Sequence, residues 1–200
     1  MIYSDKWVFI HIPKNAGNTF KINLTQKFDV YCPTGISDWK IFQHSSMQTW
    51  VDLGYATKDT QFIAIVRNPF SRAVSIFEHL NLKRNTIKWL SNFPTDFSSF
   101  VKSDRIEWQT KRKQEIRNRI ARPTSTDPQH LYIEGDFNVR VFRLEDELDE
   151  MEFFVKHRFA HTNYNVGNNP PWETYYTEEL KNIIYNKYKK DFDLFGYTND

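Results

Sequence analysis

Two short apolar runs each give way to a polar junction and then to a helical stripe. Trp7 to Ile12 (WVFIHI) is rich in aromatic and β-branched residues and predicts a buried strand. Beyond Pro13-Lys14-Asn15-Ala16-Gly17-Asn18, the segment Thr19 to Phe28 spaces Phe20, Leu24 and Phe28 four apart, the repeat of a helix with one buried face. Gln61 to Val66 (QFIAIV) predicts a second buried strand, which ends at Arg67-Asn68-Pro69. Pro69 suits the first turn of a helix, where its missing N–H is no loss. Phe70, Val74, Phe77 and Leu80 then continue a helical stripe.

Further along, Thr95 to Lys102 has the pattern of a capped helix start, and Arg105 to Arg122 predicts a polar helix with few apolar anchors. Pro123 to His130 is turn-rich and predicts a loop. Asn138 to Leu144 (NVRVFRL) alternates and predicts a third strand. Leu144, Leu148, Met151, Val155 and Phe159 trace a helix, with Asp146 and Glu147 in its first turn, where the helix dipole favours acids. Asn163 to Trp172 is an Asn/Pro/Gly loop, and Thr177 to Phe192 is a last helix with Thr177 as its N-cap. Strands alternating with helices predict an α/β domain with a mainly parallel sheet. With 200 residues, no repeat and no low-complexity linker, the expectation is one domain over residues 1–200.

Charge and composition narrow the function. A formal net charge of +2 argues against a generic polyanion binder, and no nucleic-acid motif is present, so no nucleic-acid partner is expected. The charge is uneven: Lys102 to Arg122 holds eight basic residues against three acidic ones. That segment is either a solvated helix face laced with ion pairs or a surface for an anionic ligand. A single cysteine, Cys32, excludes an intramolecular disulfide. His157 and His161 stand four apart, but no Glu follows the first as a metalloprotease helix needs, and no metal site is expected. Asn23-Leu24-Thr25 fits a glycosylation acceptor, yet it falls within a predicted helix. No apolar run approaches the ~18 residues of a membrane span and no signal segment opens the chain, which points to the cytoplasm.

The two junctions carry the chemistry. A helix N-terminus presents unpaired N–H groups and the positive end of the dipole, a ready anion site. The first junction adds the Lys14 charge, the backbone access of Gly17 and the Thr19 hydroxyl. It is not a Walker A loop, because the lysine precedes the glycine, and no magnesium-binding carboxylate follows a later strand. The second junction places Arg67 at a strand end, where it can grip a phosphate bidentately, and Ser75 two helical turns on. Ser71, Arg72 and Ser75 also fit the polar side of an amphipathic helix. Two such junctions on adjacent parallel strands suit a ligand with two separated anionic groups, bound at the carboxyl ends of the strands.

HIPKNAGNTF and VRNPFSRAVSIF resemble the two signature elements of sulfotransferases that use 3'-phosphoadenosine 5'-phosphosulfate. The resemblance is to the carbohydrate branch, Golgi-type and bacterial, typified by heparan sulfate 2-O-sulfotransferase-like proteins. VFRLEDELDEMEFFVKHRF and the closing YYTEELKNIIYNKYKKDFDLFGY are similar to that family too, while residues 81–122 match weakly. The resemblance implies a P-loop-NTPase-like three-layer fold with a central, mainly parallel sheet flanked by helices. It also implies transfer of a sulfuryl group to a hydroxyl or amine, without a metal, leaving adenosine 3',5'-bisphosphate. Carried over, Lys14 would contact the oxygen bridging phosphate and sulfate. Asn15, Ala16, Gly17, Asn18 and Thr19 would cradle the 5'-phosphate, and Arg67 and Ser75 would hold the 3'-phosphate. Asn18 departs from the usual Ser or Thr, so its backbone role is what carries over.

The acceptor needs a general base, a histidine or carboxylate in this family. His44, in IFQHSSMQTW, lies between the junctions in a segment resembling the K-H-x-T/S stretch of bacterial relatives. Imidazole suits neutral pH, although a solvated loop histidine fits the same pattern. His11, on the first strand, is better placed to orient the loop. Arg143 can reach the donor or pair with a neighbouring acid. Trp39, Trp50 and Tyr132 can stack on adenine or sugar, or simply pack. The acceptor implied is a glycan or other small molecule, and the basic segment would attract an anionic one. The competing readings are a nucleotide or nucleoside kinase, disfavoured by the missing Walker A order, and a non-catalytic adenosine 3',5'-bisphosphate binder.

Overall fold

A computed structural model describes residues 2–3, 7–27, 44–87, 90, 92–103, 123–160 and 170–199. The chain divides into two compact units, Met1–Arg67 with Arg122–Gly167, and Asn68–Ala121 with Asn168–Asp200.

The first unit is built on a four-stranded sheet in the order β1 (Ile2–Tyr3), β2 (Val8–Ile10), β3 (Phe62–Val66), β4 (Val139–Arg143). β2, β3 and β4 are parallel, with Val8 opposite Phe62 and Phe62 opposite Val139. The mainly parallel α/β sheet with flanking helices is the fold class expected. β1 was not expected; it adds antiparallel to β2, pairing Ile2 with Phe9. β2 is also shorter than the Trp7–Ile12 run. β3 is buried along its whole length, as its unbroken apolar run requires of a central parallel strand.

One face of this sheet presents Phe9, Ile63, Ile65 and Phe142. Against it pack Phe20 and Leu24 of α1 (Gly17–Lys27) and Met151 and Val155 of α5 (Leu148–Val155). The predicted helix over 144–159 is therefore too long. Leu144 extends the strand ladder, its N–H donating to Val66 C=O at 2.9 Å. The turn that follows is tied by Arg143 N–H donating to the Glu147 carboxylate at 2.7 Å. At the other end Lys156 enters the left-handed region at φ 54° and closes the helix. A short helix, α2 (Met47–Asp52), starts at Ser46, whose hydroxyl accepts from Thr49 N–H. A 3-10 turn, Gln129–Tyr132, replaces the end of the predicted Pro123–His130 loop.

The second unit is helical: α3 (Pro69–Lys83), α4 (Phe97–Lys102) and α6 (Glu178–Phe195). Each start is capped as the residue types require, by Asn68, Asp96 and Thr177. Gly196, at φ 70°, ends α6. Phe70, Phe77, Phe93, Phe97, Phe100, Leu180, Ile184 and Phe192 make a largely aromatic core. Lys102 pairs with Glu179 at 2.9 Å on an exposed surface. The predicted basic helix over 105–122, Trp39 and His161 lie outside the described residues. Among the described residues no helix is long and apolar enough to cross a membrane.

Candidate active site

The first junction is a tight, left-handed corner between β2 and α1. Lys14 and Ala16 adopt φ 71° and 56°, a conformation that disfavours residues with a Cβ. Such backbone strain concentrates at functional sites. The helix starts inside the motif, at Gly17 rather than Thr19, with the N–H groups of Thr19 and Phe20 turning back to Ala16 C=O. Ala16 carries no side-chain acceptor, so it offers nothing to cap the first amides of α1. The second junction contrasts with it. There the Asn68 carboxamide accepts from Phe70 N–H at 2.9 Å and from Ser71 N–H at 3.4 Å. Those amides of α3 are satisfied within the chain.

Gly17 has a specific packing reason to be glycine. A Cβ there would meet the ring of His11 well inside contact distance, with Cγ at 2.7 Å and two ring atoms nearer. The glycine admits the His11 ring. His11 is 4% exposed, and among the described residues its Nδ1 finds no hydrogen-bond partner. Burial holds its pKa well below the usual histidine range, and the charges of His44, Lys21 and Lys14 push the same way. His44 sits edge-on to His11, ring centroids 4.4 Å apart. Its Nδ1 lies 2.9 Å from His11 C=O. A carbonyl can only accept, so Nδ1 is the ring nitrogen that carries the hydrogen in this contact.

Arg67, in the first unit, reaches the first junction. The Arg67 guanidinium donates to Lys14 C=O at 3.2 Å. Beneath them runs a buried amide network that the sequence did not reveal. β2 pairs with β3 only as far as Ile10 opposite Ala64, because the chain then turns away. Val66 C=O faces β4. By the two-residue alternation of a strand, Ile65 and Arg67 face the side β2 has left. Side chains fill the gap. Asn15 Nδ2 donates to Ile65 C=O at 2.7 Å. Gln129 takes both backbone groups of Arg67: its Oε1 accepts from the N–H at 2.9 Å and its Nε2 donates to the C=O at 2.8 Å. Gln129 Oε1 also accepts from Asn15 Nδ2 at 2.7 Å. Asn15 and Gln129 are 1% and 0% exposed.

Lys14, Asn15, Ala16, Gly17, Asn18, Thr19, His44 and Arg67 thus belong to the first unit, while Ser75 lies in the second turn of α3 in the second unit. Arg143 pairs with Asp146 at 2.6 Å and with Glu147 at 3.6 Å. Trp50 and Tyr132 are fully buried core residues, and the Tyr132 hydroxyl donates to Thr124 C=O. Asn23 is buried, its carboxamide bonding Thr19 C=O and both backbone groups of Ala160.

A model of the sulfotransferase family matches residues 2–198, nearly the whole chain and both junctions. The chain belongs to the sulfotransferase family. No curated protein and no solved structure matches it significantly. As a sulfotransferase it moves a sulfuryl group from a donor to an acceptor. The donor set at the corner, cationic side chains beside a helix N-terminus, suits an anionic group such as phosphate or sulfate.

Proposed function

We propose that this sulfotransferase takes its sulfuryl group from 3'-phosphoadenosine 5'-phosphosulfate and transfers it to a hydroxyl or amine of a carbohydrate acceptor. Residues 1–200 would act as one catalytic domain. The observation that carries this reading is the approach of Arg67 to the Lys14 corner, which joins the two cationic junctions in one place. The first amides of α1, with the Asn15–Thr19 backbone, hold the 5'-phosphate. Arg67 holds the 3'-phosphate.

The donor, when bound, supplies an activated sulfuryl group whose bond to the bridging oxygen breaks as the acceptor oxygen bonds to sulfur. Lys14 stabilises the charge that gathers on that bridging oxygen. His44 accepts the acceptor proton on Nε2, while its Nδ1–H bond to His11 C=O fixes tautomer and ring orientation. The basic residues of segment 102–122 would favour an anionic glycan. Formation of adenosine 3',5'-bisphosphate with a panel of sulfated and unsulfated glycans tests the reading. Wild type should release it only when a glycan is present, and Lys14→Ala and His44→Ala should lose at least tenfold in kcat, within the usual range for such groups. Turnover with ATP and magnesium, or binding of the bisphosphate without any transfer, would favour the kinase or the non-catalytic binder instead.

A further inference from the structure

We infer that Gln129 is a positioning residue that sets Arg67 for the 3'-phosphate and locks the two junctions into one rigid donor site. This inference rests on the donor reading above. Beyond Ala64, β3 loses its strand neighbour at the point where Arg67 must be aimed. A backbone left there without partners would be free to turn, and the guanidinium would turn with it. The Gln129 carboxamide stands in for the missing strand, since a carboxamide offers the same donor and acceptor pair as a peptide group. It engages Arg67 N–H and C=O at 2.9 and 2.8 Å. Its remaining lone pair accepts from Asn15 at 2.7 Å, and Asn15 belongs to the Lys14 corner. One side chain therefore fixes the distance between the group meant for the 3'-phosphate and the loop meant for the 5'-phosphate.

Gln129 itself is held firmly. It opens the 3-10 turn Gln129–Tyr132, behind a Thr124–Asp127 turn closed by the Asp127 carboxylate and by the Tyr132 hydroxyl on Thr124 C=O at 2.9 Å. It is fully buried and so acts through Arg67 and Asn15.

The readout is nucleotide discrimination, which a general loss of stability would leave unchanged. Titration calorimetry compares adenosine 3',5'-bisphosphate with adenosine 5'-monophosphate on wild type, Gln129→Met and Gln129→Glu. Methionine keeps the volume and removes the amide; glutamate keeps the acceptor and removes the donor to Arg67 C=O. Both should lower the preference for the bisphosphate by about tenfold while binding the monophosphate nearly as wild type does. An unchanged preference in either folded variant overturns the inference. A wild type with no preference at all would instead refute the donor reading, leaving the two failures distinct. Hydrogen exchange on wild type needs no variant: the Arg67 amide should be protected like a strand amide, and exchange at the rate of an open loop overturns the inference too.

Discussion

Gly17→Ala probes the packing of the corner directly. A methyl carbon at this position falls 2.7 Å from His11 Cγ and nearer still to Cδ2 and Nε2. Non-bonded carbons rest at about 3.5–4.0 Å, so the ring or the loop must shift by well over ~1 Å to clear the nearest ring atoms. Neither has room. His11 is 4% exposed, and its ring lies 6.2 Å from that of Phe9 and 4.4 Å from that of His44. Overpacking of this kind costs ~1–3 kcal/mol, and the helix propensity gained by alanine over glycine returns at most ~1 kcal/mol. The net loss should be about 1–2 kcal/mol, a fall in melting temperature of roughly 2–8 °C for a chain of this size. Urea unfolding of wild type, Gly17→Ala, His11→Ala and the double variant measures it. Removing the His11 ring should relieve the clash, giving a coupling of at least ~0.5 kcal/mol between the sites. A Gly17→Ala protein as stable as wild type, or strictly additive losses, would refute the contact.

Ala16 adopts φ 56°, so Ala16→Gly removes a left-handed penalty larger than the entropy glycine adds to the unfolded chain. It should raise stability by about 0.5–1 kcal/mol in a thermal melt, and a fall would contradict the strained corner. Buried, neutral His11 predicts acid sensitivity. Below pH ~6.5 the unfolded chain takes up a proton at His11 that the folded chain refuses, so stability falls as pH drops through that range. His11→Phe keeps a ring and removes the titration. The loss of unfolding free energy between pH 7 and 5.5 should shrink by about 1 kcal/mol, and an unchanged pH dependence would count against a buried, neutral imidazole.

The central strands and the polar corners after them were legible because unbroken apolar runs and Pro/Asn/Gly punctuation are local signals. The Leu144–Phe159 stripe shows where such signals mislead. Its residues do share one core, with Met151, Val155 and Phe159 buried and Leu144 and Leu148 packed beside them. Only Leu148–Val155 is helix, because a strand end, a helix and a closing turn can feed one core at helical spacing. The six residues of α2 are too few to show a period. Gln129 was invisible for a deeper reason: its partners are the backbone of Arg67 and the side chain of Asn15, both far off in the chain, and no residue pattern encodes a side chain that replaces a strand. The packing reason for Gly17 was not legible, since the residue that demands it, His11, comes into contact only once the corner folds.

Binding of adenosine 3',5'-bisphosphate by wild type, Arg67→Ala and Lys14→Ala tests most directly that the two corners hold one nucleotide. Titration calorimetry should show tight binding by wild type and a loss of ~1.5–3 kcal/mol for Arg67→Ala, the range for hydrogen bonds to a charged group. Lys14→Ala should bind closer to wild type and lose turnover instead. Equal affinity in all three proteins would contradict the assignment of the site.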